Sequence, residues 1–412
     1  MSLQQSLKQD ATTLASAIQG ASGLSAFRDQ QQQRLAALDF PDRKTEQWKY
    51  TSLRAMESGH LKRALANDES DSPVPDLGAA RIVIRNGQLD SALCDALPEG
   101  VTLTRLSDAP ELAATDMESL FGTINGASLA DGLVLTIAAN ADVATPIHLA
   151  HVADADTPGS TQLRVIVRVG TGARVTVIEH YLGQGPALTN AVTRYQVAAN
   201  AQLTHYRLSS ESTESLHVGL LEFSQQRDSR VESFQFMLGC TLRRNDVHVI
   251  MAEPGADLSM KGIFIARGDT HIDNQVCVEH RVPHCTSDQV YKGLAGDAGR
   301  AVFNGRIHIH EGAKGTNAEL SNKNLLLNPG AEIDSKPELE IYNDDVKCSH
   351  GSTVGQMDAA QLFYLRSRGI EEHAAKRMLG EGFVNEVVLS VPHQGVRDWA
   401  GPWLAAGLTE GL

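Results

Sequence analysis

The chain has 412 residues, and its 36 Lys and Arg against 50 Asp and Glu give a net charge of −14. That balance opposes attraction to nucleic-acid backbones and anionic membrane surfaces, so neither is expected as a partner. No apolar run approaches the roughly 18 residues needed to span a bilayer.

The opening segment, MSLQQSLKQDATTLASAIQG, lacks the basic and long apolar regions of a secretory signal, and its Asp10 argues against a transit peptide; a cytoplasmic location is expected. Leu3, Leu7, Leu14 and Ile18 fall on one face at helical spacing, which predicts a first helix ended by Gly20 and Gly23. A second polar helix is expected over Gln30–Leu38, and PDRKTEQWKYTSL should carry Trp48 and Tyr50 onto a third, short one. Asn67–Pro75 has the composition of a linker.

From about residue 135 short β-branched runs are broken by pairs of small or turn-forming residues: Asn140-Ala141, Gly172-Ala173, Asn200-Ala201, Asp228-Ser229, Gly255-Ala256, His284-Cys285 and Gly312-Ala313. Successive pairs are 32, 28, 28, 27, 29 and 28 residues apart. Strand-like runs such as RVIVRVG and DVHVIMAE precede them, and runs such as ARVTVIEHYL and ADLSMKGIFI follow. One such unit cannot bury its inward face alone, whereas stacked copies bury a continuous column; the expected fold is mainly β, a parallel β-helix. The competing β-sandwich would show hairpin turns every 8–12 residues or so.

After Gly355 the pattern returns to helical. Ala359, Leu362 and Phe363 share one face, Ile370, Ala374, Met378 and Leu379 another, with Gly369 between the two helices. The division is therefore 1–77 helical, 78–135 mixed, 136–353 β-helix and 354–412 helical, the helical parts serving as covers for the two ends of the solenoid.

No G-x-x-x-x-G-K-[ST] is present, so no ATP site is expected in this chain, and neither G-x-S-x-G nor H-E-x-x-H supplies a hydrolytic set. The cysteines at 94, 240, 277, 285 and 348 form no C-x-x-C pair, which favours reduced thiols over a disulfide framework or a zinc ribbon. Soft and borderline ligands gather late in the repeats: Cys277, His280, His284, Cys285, His308, His310, Cys348 and His350. His280 and His308 are 28 apart, which would stack them on adjacent rungs as a metal pair or leave them as two solvent-facing strand histidines; His308 and His310 share a face by alternation. Cys348 and His350, two apart on a strand, send thiol and imidazole to one side near an end of the solenoid, an incomplete iron site needing ligands from elsewhere.

The run YNDDVKCSHGSTVGQMDAAQLFYLRSRGIEEHAAKRMLGEGFVNEVV resembles the C-terminal signature of the SufB/SufD family, and FPDRKTEQWKYTSL resembles the entry motif of its SufD branch. The SufB branch typically carries an N-terminal cysteine cluster of C-x-x-C-x-x-x-C type, which is missing. The resemblance implies a right-handed parallel β-helix with helical domains at both ends. It implies a non-catalytic scaffold subunit of the Suf iron-sulfur assembly complex, pairing with SufB through terminal strands and binding two copies of the ATPase SufC. A transient iron-sulfur cluster would form at the SufB junction, with His350 matching the family's ligand histidine and Cys348 its neighbouring cysteine. The SufC-binding region would be the C-terminal helix pair, including Leu362, Phe363, Tyr364, Arg366, Arg368, Gly369 and Ile370. Reduced flavin is a cofactor implied for the complex, and a homodimer through the same strands is an alternative for the isolated chain. Rival readings are a purely structural β-helix scaffold without metal ligation and a β-helix carbohydrate-active enzyme.

Overall fold

A computed structural model describes residues 2–65, 72–114 and 119–409. Most of the segment expected as a linker, 67–71, lies outside the described residues.

The first helix, α1 (Leu3–Ala17), starts on a capping box: Gln5 N donates to Ser2 Oγ at 3.2 Å, and Ser2 N donates to Gln5 Oε1 at 2.9 Å. It buries Leu7 and Leu14 as the spacing predicts, and stops at Ile18, which is extended. The second, α2 (Ser25–Ala37), begins five residues earlier than expected. The third is only a 3₁₀ turn over Glu46–Trp48; Trp48 is buried beneath the Arg244 guanidinium, 4.0 Å from its ring centre, while Tyr50 lies beyond the turn and is exposed. A short helix not anticipated from the pattern, α3 (Leu120–Ala127), packs beside α2.

The strands follow as β1 (Ala80–Arg85), β2 (Gln88–Leu89), β3 (Val101–Arg105), β4 (Leu133–Ile137), β5 (Ile147–Val152), β6 (Gly159–Val169), β7 (Arg174–Gly183), β8 (Ala187–Val197), β9 (Gln202–Glu211) and β10 (Leu216–Gln225). They continue with β11 (Arg230–Leu238), β12 (Leu242–Met251), β13 (Asp257–Ala266), β14 (His271–His280), β15 (Thr286–Ala295), β16 (Arg300–Ile309), β17 (Asn317–Leu326), β18 (Glu332–Ile341) and β19 (Lys347–Gln356). From β4, which pairs antiparallel with β3, the chain alternates between two sheets, and from β6 onward each strand pairs in parallel with the strand one full turn earlier. One sheet ends in β17 and β19, the other in β16 and β18. This is the expected parallel β-helix, of about eight turns.

The recurrent residue pairs are the corners that lead from one sheet to the other. Asn140, Gly172, Asn200, Asp228, Gly255 and His284 all have φ between 53° and 79°, the left-handed conformation in which Gly and Asn pay least. The small residue after them turns inward, and Ala173, Ala201, Ser229, Ala256, Cys285 and Ala313 are fully buried. At the last corner the left-handed position is Gly315, three residues past Gly312. Alternate side chains fill the space between the sheets with one continuous apolar column from Ile82 to Ile333.

The helices do not cap the solenoid ends, contrary to expectation; they cover its flanks. Residues Leu7, Leu35, Trp48 and Phe121 pack on the outer face of the β8, β10 and β12 sheet through Leu188, Leu216 and Leu242. At the other terminus α4 (Ala359–Ser367) leads to α5 (Glu372–Leu389) and a third helix, α6 (Gln394–Thr409). Val384, Val387, Val396, Trp403 and Leu408 of α5 and α6 bury against Tyr206, Phe234, Phe236 and Ile263 on the outer face of the opposite sheet, and Trp403 Nε1 donates to Ser209 O at 3.0 Å. The reason is hydrophobic: both sheets carry apolar residues outward as well as inward, and flank packing buries them. The final rung is left open. Among the described residues no helix is long and apolar enough to cross a membrane.

Candidate functional site at the open end of the solenoid

The last strand, β19, pairs with β17 so that Cys348 lies opposite Ala318, His350 opposite Leu320 and Ser352 opposite Asn322. Those three partners are buried, inward-facing residues, so Cys348, His350 and Ser352 continue the inward face by one rung. Nothing among the described residues lies on the far side of β19 in its sheet. His350 is consequently exposed although it faces the solenoid axis. Cys348 is half-buried against the apolar column, and that burial pushes its thiol up. The expected sharing of one side by thiol and imidazole thus holds.

The facing strand, β18, completes the mouth. Ser335 Oγ donates to Asn322 Oδ1 at 2.7 Å and lies 2.6 Å from Ser352 Oγ, so hydroxyls bridge the two sheets one step inside the opening. Ile341, Tyr342 and Val354 around it are exposed. Lys347 N donates to Thr316 O and Met357 N to Leu326 O, so the odd-numbered amides of β19 point to β17 and the even-numbered ones, His350 and Val354 among them, point off the free edge. A free parallel edge beside exposed apolar side chains is a template for another strand.

The histidine pair at 280 and 308 is not brought together. Between β14 and β16 the register advances 29 residues, which sets His308 opposite Glu279 and His280 opposite Ile309. His280 is inward and fully buried, with Nε2 3.0 Å from Ser287 Oγ, and burial lowers it to about 4. It is neither a ligand stacked on His308 nor a solvent-facing residue. His308 faces outward, where its ring stacks on His310 at 4.0 Å between centres, as alternation predicts. Glu279 and His248 complete this outer group: His248 Nε2 is 2.8 Å from Glu279 Oε1. Burial favours the neutral His248 ring, but hydrogen bonds to Cys277 and Glu279 outweigh it and push it up to about 9. Sequence reasoning missed both residues, because a coil of 26 residues between Leu216 and Leu242 and of 32 between Arg300 and Glu332 hides cross-strand partners from any fixed period.

Below the mouth, α4 contains no buried residue. Phe363 and Tyr364 are 73% and 58% exposed, Leu362 and Ile370 are half-buried, and Arg366, Arg368 and Gly369 are at the surface. Arg366 pairs with Glu372 at 3.2 Å, the Arg368 guanidinium lies over the Tyr364 ring at 5.2 Å, and Gly369 makes the turn into α5 with φ 85°. A helix with no buried side chain gains nothing from this chain's own core.

The arrangement is that of a parallel β-solenoid protein with flank-packed helices, an open last rung bearing a thiol and an imidazole, and an unburied helix following it. The description "SUF system FeS cluster assembly, SufBD core domain" matches residues 151–383, which run from β5 through the terminal rung and α4 into α5. The iron-sulfur cluster assembly protein SufD of Escherichia coli is 31% identical over 375 residues, covering 89% of this chain and 88% of the relative. An iron-sulfur cluster assembly SufBD family protein of Synechocystis is 30% identical over 387 residues, covering 87% and 85%. The SufD protein of Bacillus subtilis is 26% identical over 280 residues. The chain belongs to the SufBD family of iron-sulfur cluster assembly proteins.

Proposed function

We propose that this chain is the SufD-type scaffold subunit of a cytoplasmic Suf assembly complex, without catalysis of its own. In this reading β18 and β19 pair with the terminal strands of a SufB-type solenoid. His350, with Cys348 beside it, then faces the partner's ligands across a shared space in which an iron-sulfur cluster is built and from which it is released. α4 and the start of α5, from Leu362 to Ile370, dock a SufC-type ATPase. The ATPase acts on the junction only through different affinities for its open and closed arrangements, with the solenoid as a stiff lever between the two surfaces.

The observation that carries the reading is the open rung: a free parallel edge, exposed apolar side chains, and two iron-compatible ligands on the inward face. Pairing through this edge is tested by the mass of the complex formed on co-expression with SufB-type and SufC-type partners. Val354→Pro removes an edge amide that β17 does not use, so the isolated chain should keep its fold while the SufB-type subunit is lost from the complex. Recovery of the full complex by the variant would contradict the proposed edge, and a self-associated species in its place would favour a homodimer.

A further inference from the structure

The outer face of the β14, β16 and β18 sheet carries a second group of ligand residues. Glu279, His308 and Glu340 are direct cross-strand partners on three successive rungs, and His310 follows His308 on the same face, immediately past the end of β16. One ligand atom each from Glu279, His308 and His310 lie within 4.8 Å of one another. A cation bonded at about 2.0–2.2 Å to imidazole nitrogen and carboxylate oxygen holds such atoms at comparable separations. We infer that Glu279, His308 and His310 form a binding site for a divalent first-row transition-metal ion, distinct from the terminal rung.

Two imidazoles and one carboxylate are a borderline ligand set, suited to Fe²⁺, Co²⁺ or Zn²⁺ and poor for Ca²⁺ or Mg²⁺. Three protein ligands leave coordination positions open. Glu340 lies beside the group, its Oε2 3.8 Å from His308 Nδ1 and its Oε1 3.3 Å from the Arg306 guanidinium. The carboxylate of Glu279 is already oriented: His248 sits 2.8 Å from Oε1, which leaves Oε2 toward His310 at 3.3 Å. Such outer hydrogen bonds fix first ligands in metal sites. Arg281 competes for Oε2 at 2.8 Å, but its side chain is 43% exposed and swings into solvent without a desolvation cost.

A thiol site made of His248, Cys277 and Glu279 is geometrically close by as well. It is the weaker choice, because the Arg306 guanidinium is the cross-strand neighbour of Cys277 and hydrogen-bonds it, placing positive charge where a cation would sit. The oxygen-and-nitrogen site is also the more accessible, His308 and His310 being half-buried rather than sealed.

The site is independent of the terminal-rung reading and survives its failure. It is tested by titrating the full-length, chelator-stripped chain with Co²⁺ and following the visible d–d absorption. One Co²⁺ per chain is expected, His308→Ala and His310→Ala should each weaken binding by roughly 100-fold, and His248→Ala by about ten-fold through the loosened carboxylate. Glu279→Gln serves as a further ligand variant, and thermal melting by circular dichroism confirms that each variant is folded. Absorption unchanged in both histidine variants would overturn the site. So would an intense sulfur-to-cobalt band, which moves the ion to Cys277, or loss of binding in His350→Ala with retention in His310→Ala, which moves it to the terminal rung.

Discussion

At the scale of single residues the solenoid interior is more polar than its repeat suggests. Glu179 is fully buried, accepting hydrogen bonds from Tyr181 at 2.9 Å and Tyr195 at 2.8 Å, with Arg207 3.6 Å away. Burial alone would raise its carboxyl, yet His205, Arg207 and Tyr195 outweigh that and hold it below the usual carboxylate range. Arg207→Ala would leave this charge buried without its cation, and a loss of about 3–5 kcal/mol is expected in denaturant unfolding. His151 and His217 are also sealed inside, and burial lowers both to about 4, as it does His148. The unfolded chain, whose histidines titrate near 6.5, then binds more protons than the folded one between about pH 6.5 and 4. The contribution of these neutral rings should be complete above pH 6.5 and fall steadily as the pH drops through that window, ahead of carboxylate titration, whereas His248, pushed up to about 9, contributes stability that is lost as the pH rises from 6.5 toward 9; a melting temperature flat from pH 7 to pH 4 would contradict the buried neutral rings. None of this was legible in the sequence, since a Glu, Arg or His on an inward strand position reads locally as a solvent residue. Cys348 and His350 were legible as a pair, because strand alternation fixes their common side; that His350 stays exposed follows only from its place on the last rung.

At the scale of elements the repeat was legible for a physical reason. The left-handed corner favours Gly, Asn or Asp, with His284 the exception, and the inward position after it takes a small side chain, so the corner imprints two letters on most turns. Register was not legible, since corners tolerate insertions that the strands cannot. The unpaired His280 and His308 are the cost of assuming one period. The helices α4 and α5 were anticipated from their apolar spacing, but that spacing did not separate buried from exposed faces: Ala375, Gly380, Val384 and Val387 of α5 are buried while Phe363 and Met378 stand in solvent. Phe363→Asp should therefore change the stability of this chain by no more than about 0.5 kcal/mol. It should sharply reduce recovery of the SufC-type ATPase in a pull-down; unchanged recovery would remove α4 from the docking surface.

At the scale of the whole molecule, two features set what the chain can do. Strand pairing runs unbroken from β4 to the end of both sheets, which makes the solenoid a stiff body, and the flank-packed helices spend their apolar faces on its sides rather than on its last rung. The result, among the described residues, is a rod with a free strand edge at one end and an unburied helix following it, the arrangement the proposed subunit would need if force from an ATPase is to reach a shared junction. The fold class and the family follow from the repeat and the C-terminal signature; the open end does not, because a helical pattern at a terminus says nothing of whether it covers an end or a flank. The most direct test of the account is anaerobic reconstitution of the co-expressed complex with iron and sulfide, reading visible absorption and acid-labile sulfide for the wild type and for His350→Ala at equal subunit stoichiometry. The account predicts that the variant assembles and loses most of its cluster; an assembled His350→Ala complex that builds cluster to the wild-type level would contradict it and leave the chain a mechanical scaffold alone.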